Sequence, residues 1–416
     1  MDPIAAGGWA VGYRQGMKAV RVSTGRTVAP FGDPVGQTPV GAMTLAEAQD
    51  AALVSAGFER VEVPPTDAPY LVYSDRTWFT SDLLQRMAEA GDGRLRVRDE
   101  GWWAWTGPLQ DTPEAGLYEL AIRTGPPGFA DLSPMDLDLP LRELELDDFH
   151  PAVAHAHRHP VIVGPAMVLQ LDHWVHIIRV NQLVLAARME TERLRWEQSG
   201  FFGRLFRVLW LLLRARSLNG ARIAATLNEK GADVEIHPSA VVELCVLGDG
   251  VKIGPHAVVR GSILGPGARV DPFATVNASV LGAGARAGRY AFLNLCTLYP
   301  RAMVSKGDGY QVSVFGEESF MAWGATALDL SFGQTVKVET DGPGSPRVDC
   351  GQHFIGVAVG HKAIVGNKVR LRYGVSIPNE GMVVDPGDDL LRGWGDAPTG
   401  EPVWVRGGRA VRRETD

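Results

Sequence analysis

The 416-residue sequence predicts an α/β N-terminal domain, a helical connector and a C-terminal left-handed parallel β-helix. Three patterns carry that prediction. Aliphatic residues recur every five or six positions from Ile236 onward. Short strand-like and helical runs alternate between residues 18 and 140. Residues 166–229 read as helix.

The repeat fixes the C-terminal fold. Ile236, Val242, Leu247, Ile253, Val259, Leu264, Val270, Val276, Leu281, Ala287 and Leu293 follow one another in steps of 6, 5, 6, 6, 5, 6, 6, 5, 6 and 6. Three steps make a 17-residue unit, so Ile236, Ile253, Val270 and Ala287 are equivalent positions in successive coils. One inward aliphatic residue on each of three flat sides describes a triangular prism. Small residues after each inward position, as in Ile253-Gly-Pro-His-Ala257, suit its corners. No coil can bury its own core, so neighbours must stack. After Leu293 the register loosens, with a fragment over Val314–Thr326 and a strand-like alternation over Leu328–Val338. Asp341-Gly-Pro-Gly-Ser-Pro346 then marks a turn, and hexads return at Val348, Phe354, Val359, Val365, Leu371 and Ile377. The reading is a β-helix over 233–384 with an insertion near 300–347, then a tail over 385–416. Insertions in repeat proteins tend to gather on one face, often the binding face. Cys245 and Cys296 lie 51 residues apart, three units of 17. They are expected on one side of the prism about 14–15 Å apart, too far to bridge.

The N-terminal reading runs over 1–140. Lys18-Ala-Val-Arg-Val22 is strand-like, Thr44 caps a helix ending near Gly57, Tyr70-Leu-Val-Tyr73 is a strand and Asp82–Ala90 a helix. Strands alternating with helices suggest a small parallel sheet. Residues 141–232 form the connector. Between 131 and 149 stand seven acids against Arg142, read as a solvated linker. His150, His155, His157 and His159 follow. On a strand the last three would share a face able to hold a transition metal; a surface loop is the plainer alternative. In 201–216, Arg204, Arg207 and Arg214 share one helical face, with aromatics and leucines over the rest. Such a helix either lies on an anionic membrane surface or packs against another domain or subunit.

Hydrophobic residues make up 45% of the chain and charged ones 21%, a globular composition. The net charge of −7 argues against a nucleic-acid partner. No apolar run approaches the ~20 residues of a membrane span. The N-terminus lacks the order of a signal peptide, and three cysteines make no disulfide framework. The default expectation is a cytoplasmic protein.

Several segments resemble the sugar-1-phosphate nucleotidylyltransferases that carry a C-terminal left-handed β-helix. Their opening strand and Gly-rich loop are similar to Met17-Lys-Ala-Val-Arg-Val-Ser-Thr-Gly-Arg26, and their next segment to Pro30-Phe-Gly-Asp-Pro-Val35 and Thr38–Leu45. Asp172-His-Trp174…Asn181 resembles the short helix that enters their β-helix. The resemblance implies a truncated nucleotidyltransferase-like domain with Gly25 and Arg26 at the substrate and Asp75 as a metal ligand. It also implies Mg²⁺ if transfer is retained, a nucleotide sugar or sugar phosphate as partner, and homo-oligomers. The phosphate loop keeps only Gly25-Arg26 where several closely spaced glycines are expected, and Gln37 stands where the family has lysine. Nucleotidyl transfer is therefore expected to be weakened or lost.

Many hexapeptide β-helix proteins instead transfer acyl groups with a histidine base. The candidates are His237, His256, His353 and His361. The segment Val359-Gly-His361-Lys-Ala-Ile-Val-Gly-Asn367 resembles the Gly-His segment of the acetyltransferase half of bifunctional N-acetylglucosamine-1-phosphate uridyltransferases. That alternative implies an acyl-CoA donor and a nucleotide-sugar acceptor, with His361 as general base. A surface role for His361, and a non-catalytic oligomeric scaffold or regulatory subunit, remain the other readings.

Overall fold

The computed structural model describes residues 16–144, 161–307, 309–385, 387, 390–392, 394, 397–400 and 403–412. The His150–His159 cluster and the acids Glu145, Asp147 and Asp148 lie outside the described residues.

The β-helix follows the 17-residue arithmetic. Ile236 pairs with Ile253, Ile253 with Val270 and Val270 with Ala287, all in parallel ladders. Two eight-stranded parallel sheets and one five-stranded parallel sheet form its sides, from Glu229–Lys230 to Met382–Val383. These stacked coils fit a left-handed β-helix. The aliphatic column from Val242 to Leu293 is buried and forms one continuous core. At the corners the chain turns through the left-handed region, often without glycine: His256, Phe273 and Tyr290 have φ of 57°, 63° and 63°. Being one coil apart, their rings stack at 5.1 and 5.0 Å.

The register does not loosen at Leu293. Leu293 pairs with Tyr310, Leu298 with Phe315 and Val304 with Met321. Aromatic and sulfur side chains take the inward places there, so an aliphatic pattern loses them although the geometry continues. Tyr310 is accommodated because its hydroxyl donates to the Ala325 carbonyl inside the prism. The insertion therefore begins after Thr326–Ala327, not near 300. Val314 pairs with Ala358, and Glu317 lies opposite His361, 44 residues on instead of 17. The extra chain holds an antiparallel hairpin, Lys337–Glu339 with Arg347–Asp349. Val348 belongs to that hairpin and Phe354 bridges Leu330, so neither is a coil position. Val359, Val365, Leu371 and Ile377 are.

Cys245 and Cys296 each precede a strand of the same sheet, three strands apart, and both are buried free thiols. They sit in one column of small polar residues: Asn228 Oδ1 accepts from Cys245 N, Ser262 Oγ from Ser279 N, and Ser279 Oγ from Cys296 N.

The N-terminal region is α/β, but its sheet is mixed. Its order is Glu59–Arg60, Lys18–Val22, Tyr70–Ser74, Leu117–Arg123, Gly93–Val97, Pro134–Leu137. The first three strands and the last pair run parallel, and Leu117–Arg123 runs antiparallel to both neighbours. A return of Leu117–Arg123 between three parallel strands on one side and a parallel pair on the other leaves no signature in local periodicity. Helices α1 (Leu45–Ala56), capped by a Thr44–Glu47 box, and α2 (Ser81–Ala90) cover it. The start of the acidic run is not free linker: Asp131 pairs with Arg123, and Asp136 in the edge strand pairs with Arg96.

A short helix α3 (Glu100–Thr106) precedes the connector helices α4 (Trp174–Gln198), α5 (Phe201–Ala215) and α6 (Gly220–Ala225). The first half of α4 is buried between sheet and β-helix. One hydrophobic core runs without a break from Leu71 and Tyr73 through Trp174 and Ile178 to Val312 and Val314. Asn181 fastens this seam. Its Oδ1 accepts from Gly41 N at 2.7 Å and its Nδ2 donates to Pro39 O at 3.0 Å.

Candidate functional site

The sequence brings Gly25, Arg26 and Asp75 together because two parallel strands, Lys18–Val22 and Tyr70–Ser74, end side by side. Gly25 takes φ 65°, which lets the chain reverse at that point. The site is closed on itself. Asp75 Oδ1 accepts from Thr24 Oγ1 at 2.7 Å; its Oδ2 accepts from Ser23 Oγ at 2.9 Å and Thr24 N at 3.0 Å. The backbone N–H that should face a phosphate faces the carboxylate. Arg26 is turned away to Asp111 and Asp172. Behind it, buried Arg76 bridges Asp172 and Glu119. Burial pulls the Arg76 pKa down, but its hydrogen bonds to Glu119 and the charge of Asp172 more than reverse this, so it stays charged. Among the described residues no three His, Cys, Asp or Glu side chains group as a metal site requires. Ser23 and Thr24 hold Asp75 inside the loop, so the Mg²⁺ that the resemblance implies would rest there on substrate phosphates and water more than on this chain.

His361 lies elsewhere, at the seam between the N-terminal region and the β-helix. Its Nε2 is 2.8 Å from Asp33 Oδ2, and its Nδ1 accepts from Glu317 N at 2.7 Å. With Nδ1 an acceptor, Nε2 carries the proton and donates to Asp33. Both ring nitrogens are thus engaged. Phe31 and Tyr299 pack on the ring at 5.3 and 5.1 Å. Asn379 adds a second clasp, accepting from His361 N at 2.7 Å and donating to Phe31 O at 2.6 Å. Asp33 stands 328 residues from His361, so no spacing signal in the sequence could have paired them. Among the other candidates, His237 bonds Ser239 in its own corner, His256 stacks on Phe273, and His353 approaches Ser331 O at 3.2 Å.

Two further constellations escaped the sequence reading. At the start of α4, His173 and His176 are buried and bonded to Glu339 O and Pro108 O respectively. Arg179 donates to Pro108 O and Cys350 O. Burial pushes His173 down to about 4, His176 well below its usual range, and Arg179 to about 10. This cluster is a structural joint of three segments, with no open face.

The second is a groove of about 710 Å³ beneath the inserted hairpin, walled by Leu330, Phe332, Thr335 and Tyr373 with Lys337, Arg347 and Arg372. None of the three cations pairs with a carboxylate among the described residues. Arg347 donates to Gly374 O at 2.9 Å, and the Arg372 guanidinium lies 5.1 Å from the centre of the Tyr373 ring. Hydrogen bonds from Ser331 and then Arg372 draw the Tyr373 phenol below its usual range. Such a lining can hold phosphate oxygens beside a planar group. The cations come from the insertion and from the coil that follows it, which are adjacent only once the prism has closed around the extra chain.

No family model matches this chain, and no curated protein does. Among solved structures it is similar to a hexapeptide transferase family protein from Anaplasma phagocytophilum, at 14% identity and a TM-score of 0.24, over 37% of this chain and 72% of that one. It is also similar to the polysialic acid O-acetyltransferase OatWY, at 15% identity and a TM-score of 0.19, over 45% of this chain and 92% of that one. At these values neither likeness bears on substrate or mechanism.

Proposed function

We propose that this chain is a sugar-nucleotide-pathway protein built like the nucleotidylyltransferases with a β-helix, which has lost nucleotidyl transfer and keeps a binding role. The observation that carries this reading is that Ser23 and Thr24 hold Asp75 against the loop through both of its oxygens. Opening the loop to phosphates and a metal would have to disturb these three hydrogen bonds. A phosphorylated sugar or nucleotide sugar would instead be held in the groove of Lys337, Arg347 and Arg372, where the positive charge has no carboxylate partner among the described residues and Tyr373 offers a flat face. Two measurements test this together. Pyrophosphate release from nucleoside triphosphates with sugar 1-phosphates and Mg²⁺ should be negligible; robust turnover that vanishes in Asp75→Asn would sink the reading. Nucleotide sugars should raise the melting temperature of the wild type and not of Arg372→Ala.

A second reading, acyl transfer from acyl-CoA to a nucleotide sugar with His361 as base, is favoured by the Asp33 partner. It requires the Glu317 N–H to release Nδ1. If it holds, acyl-CoA protects against unfolding and His361→Ala slows transfer by about two to four orders of magnitude, the usual worth of a general base. Protection by neither ligand class would leave the scaffold reading.

A further inference from the structure

Helix α5 is mounted the wrong way round for a surface in water. Its polar side faces the protein. Arg204 donates to the carbonyls of Trp196 and Glu197 at 3.1 and 2.7 Å, and Arg207 pairs with Glu192 of α4. Leu211, on the same side, lines a groove of about 740 Å³ between α4, α5 and the first coils. The apolar side faces out. Phe202 is 82% exposed, Phe201 74%, Phe206 71% and Leu213 67%, and no residue of the helix is buried. With Leu205 and Leu209 these residues form one stripe at spacings of one, three and four. Scattered exposed apolar side chains are ordinary, but a contiguous stripe of six large ones is not.

Charge says what covers it. Residues 199–228 contain five arginines and no acid, in a chain whose net charge is −7. A second copy laid on this face brings no acid from residues 199–228 to Arg214 and Arg216. An anionic surface neutralises them. The helix is 15 residues long, about 22 Å, and no described helix is long and apolar enough to cross a membrane. It suits lying in an interface.

We propose that α5 docks this protein on an anionic lipid bilayer. The stripe of Phe201, Phe202, Leu205, Phe206, Leu209 and Leu213 enters the acyl boundary, and Arg214 and Arg216 lie among the headgroup phosphates. Arg214, stacked 5.0 Å over Trp210, sits at the edge of the apolar side, where an interfacial cation belongs.

The test is co-sedimentation of the full chain with vesicles of phosphatidylcholine alone, or of phosphatidylcholine with phosphatidylserine. Binding is expected only to the anionic vesicles and should weaken with salt. The double substitution Phe202→Ser with Phe206→Ser should lower the bound fraction about tenfold, since each side chain carries a large share of the inserted area. Its circular dichroism and melting temperature should match wild type, because both side chains are largely exposed and belong to no hydrophobic core. Arg214→Glu with Arg216→Glu should weaken binding comparably, which a purely apolar contact would not. Failure to sediment with anionic vesicles, or equal sedimentation of the Phe double variant, overturns the proposal. So does a dimer that the Phe substitutions turn into monomer without any vesicle binding, which would assign the stripe to a second copy.

Discussion

Acid should loosen the joint between the N-terminal region and the β-helix before it does anything else, because two histidines are held there without their protons. His173 and His176 are enclosed by α4, the Pro108 loop and the inserted hairpin. Burial disfavours the imidazolium, pushing His173 to about 4 and His176 well below its usual range. An unfolded chain takes up these protons near pH 6.5. Stability from this source is therefore complete above about pH 6.5 and drains as pH falls towards about 4. For His173 the gap is roughly 2.5 units, or about 3 kcal/mol, and each histidine supplies a slope of up to about 1.4 kcal/mol per pH unit. Burial raises Asp172 and Asp329, which act in the opposite sense at lower pH. The clean measurement is thus a difference. Urea midpoints of wild type and of His173→Asn with His176→Asn are compared at pH 7.5, about 6 and about 5. Asparagine preserves an acceptor for the N–H groups of Asp172, His173 and Val175 that the Nδ1 atoms now satisfy. The variant should be less stable at pH 7.5 and its midpoint should fall less on acidification. Equal pH slopes for the two proteins would refute the reasoning, and so would a wild type that gains stability between pH 6.5 and 5.

Three other outcomes follow from the same geometry. Burial pushes the Cys245 and Cys296 thiols up to about 11 and about 12, so neither should react with a thiol reagent at pH 8 until the chain is unfolded, and neither should form a disulfide. Gly360→Ala should be severely destabilising, because a Cβ there would stand 2.5 Å from the backbone nitrogen of Asn379, prising apart the coils that present His361; a melting temperature within about 2 °C of wild type would contradict the stacking. Asn181→Ala strands the buried Gly41 N–H and removes the donor to Pro39 O, which should cost about 2–4 kcal/mol in denaturant unfolding.

The sequence by itself determined the β-helix, because each coil repeats the same requirement. An inward side chain every five or six residues is a local rule, and Ile236, Ile253, Val270 and Ala287 obey it without reference to anything distant. The same arithmetic placed Cys245 and Cys296 in one sheet. The rule was lost only where Tyr310, Phe315 and Met321 do the work of aliphatics, which moved the insertion some thirty residues too early. The convergence of Gly25 and Asp75 was also legible, since adjacent parallel strands end together. Whether that loop is open or shut was not. It depends on which donors the carboxylate meets, and Ser23 and Thr24 look the same on paper in either state. His361 was visible as a histidine in a coil, but its partner Asp33 comes from the far end of the chain. The cations of the inserted groove, and the outward turn of the α5 stripe, likewise exist only after distant segments pack. Periodicity reports contacts that recur along the chain. Contacts made once, between segments hundreds of residues apart, are settled by tertiary structure alone.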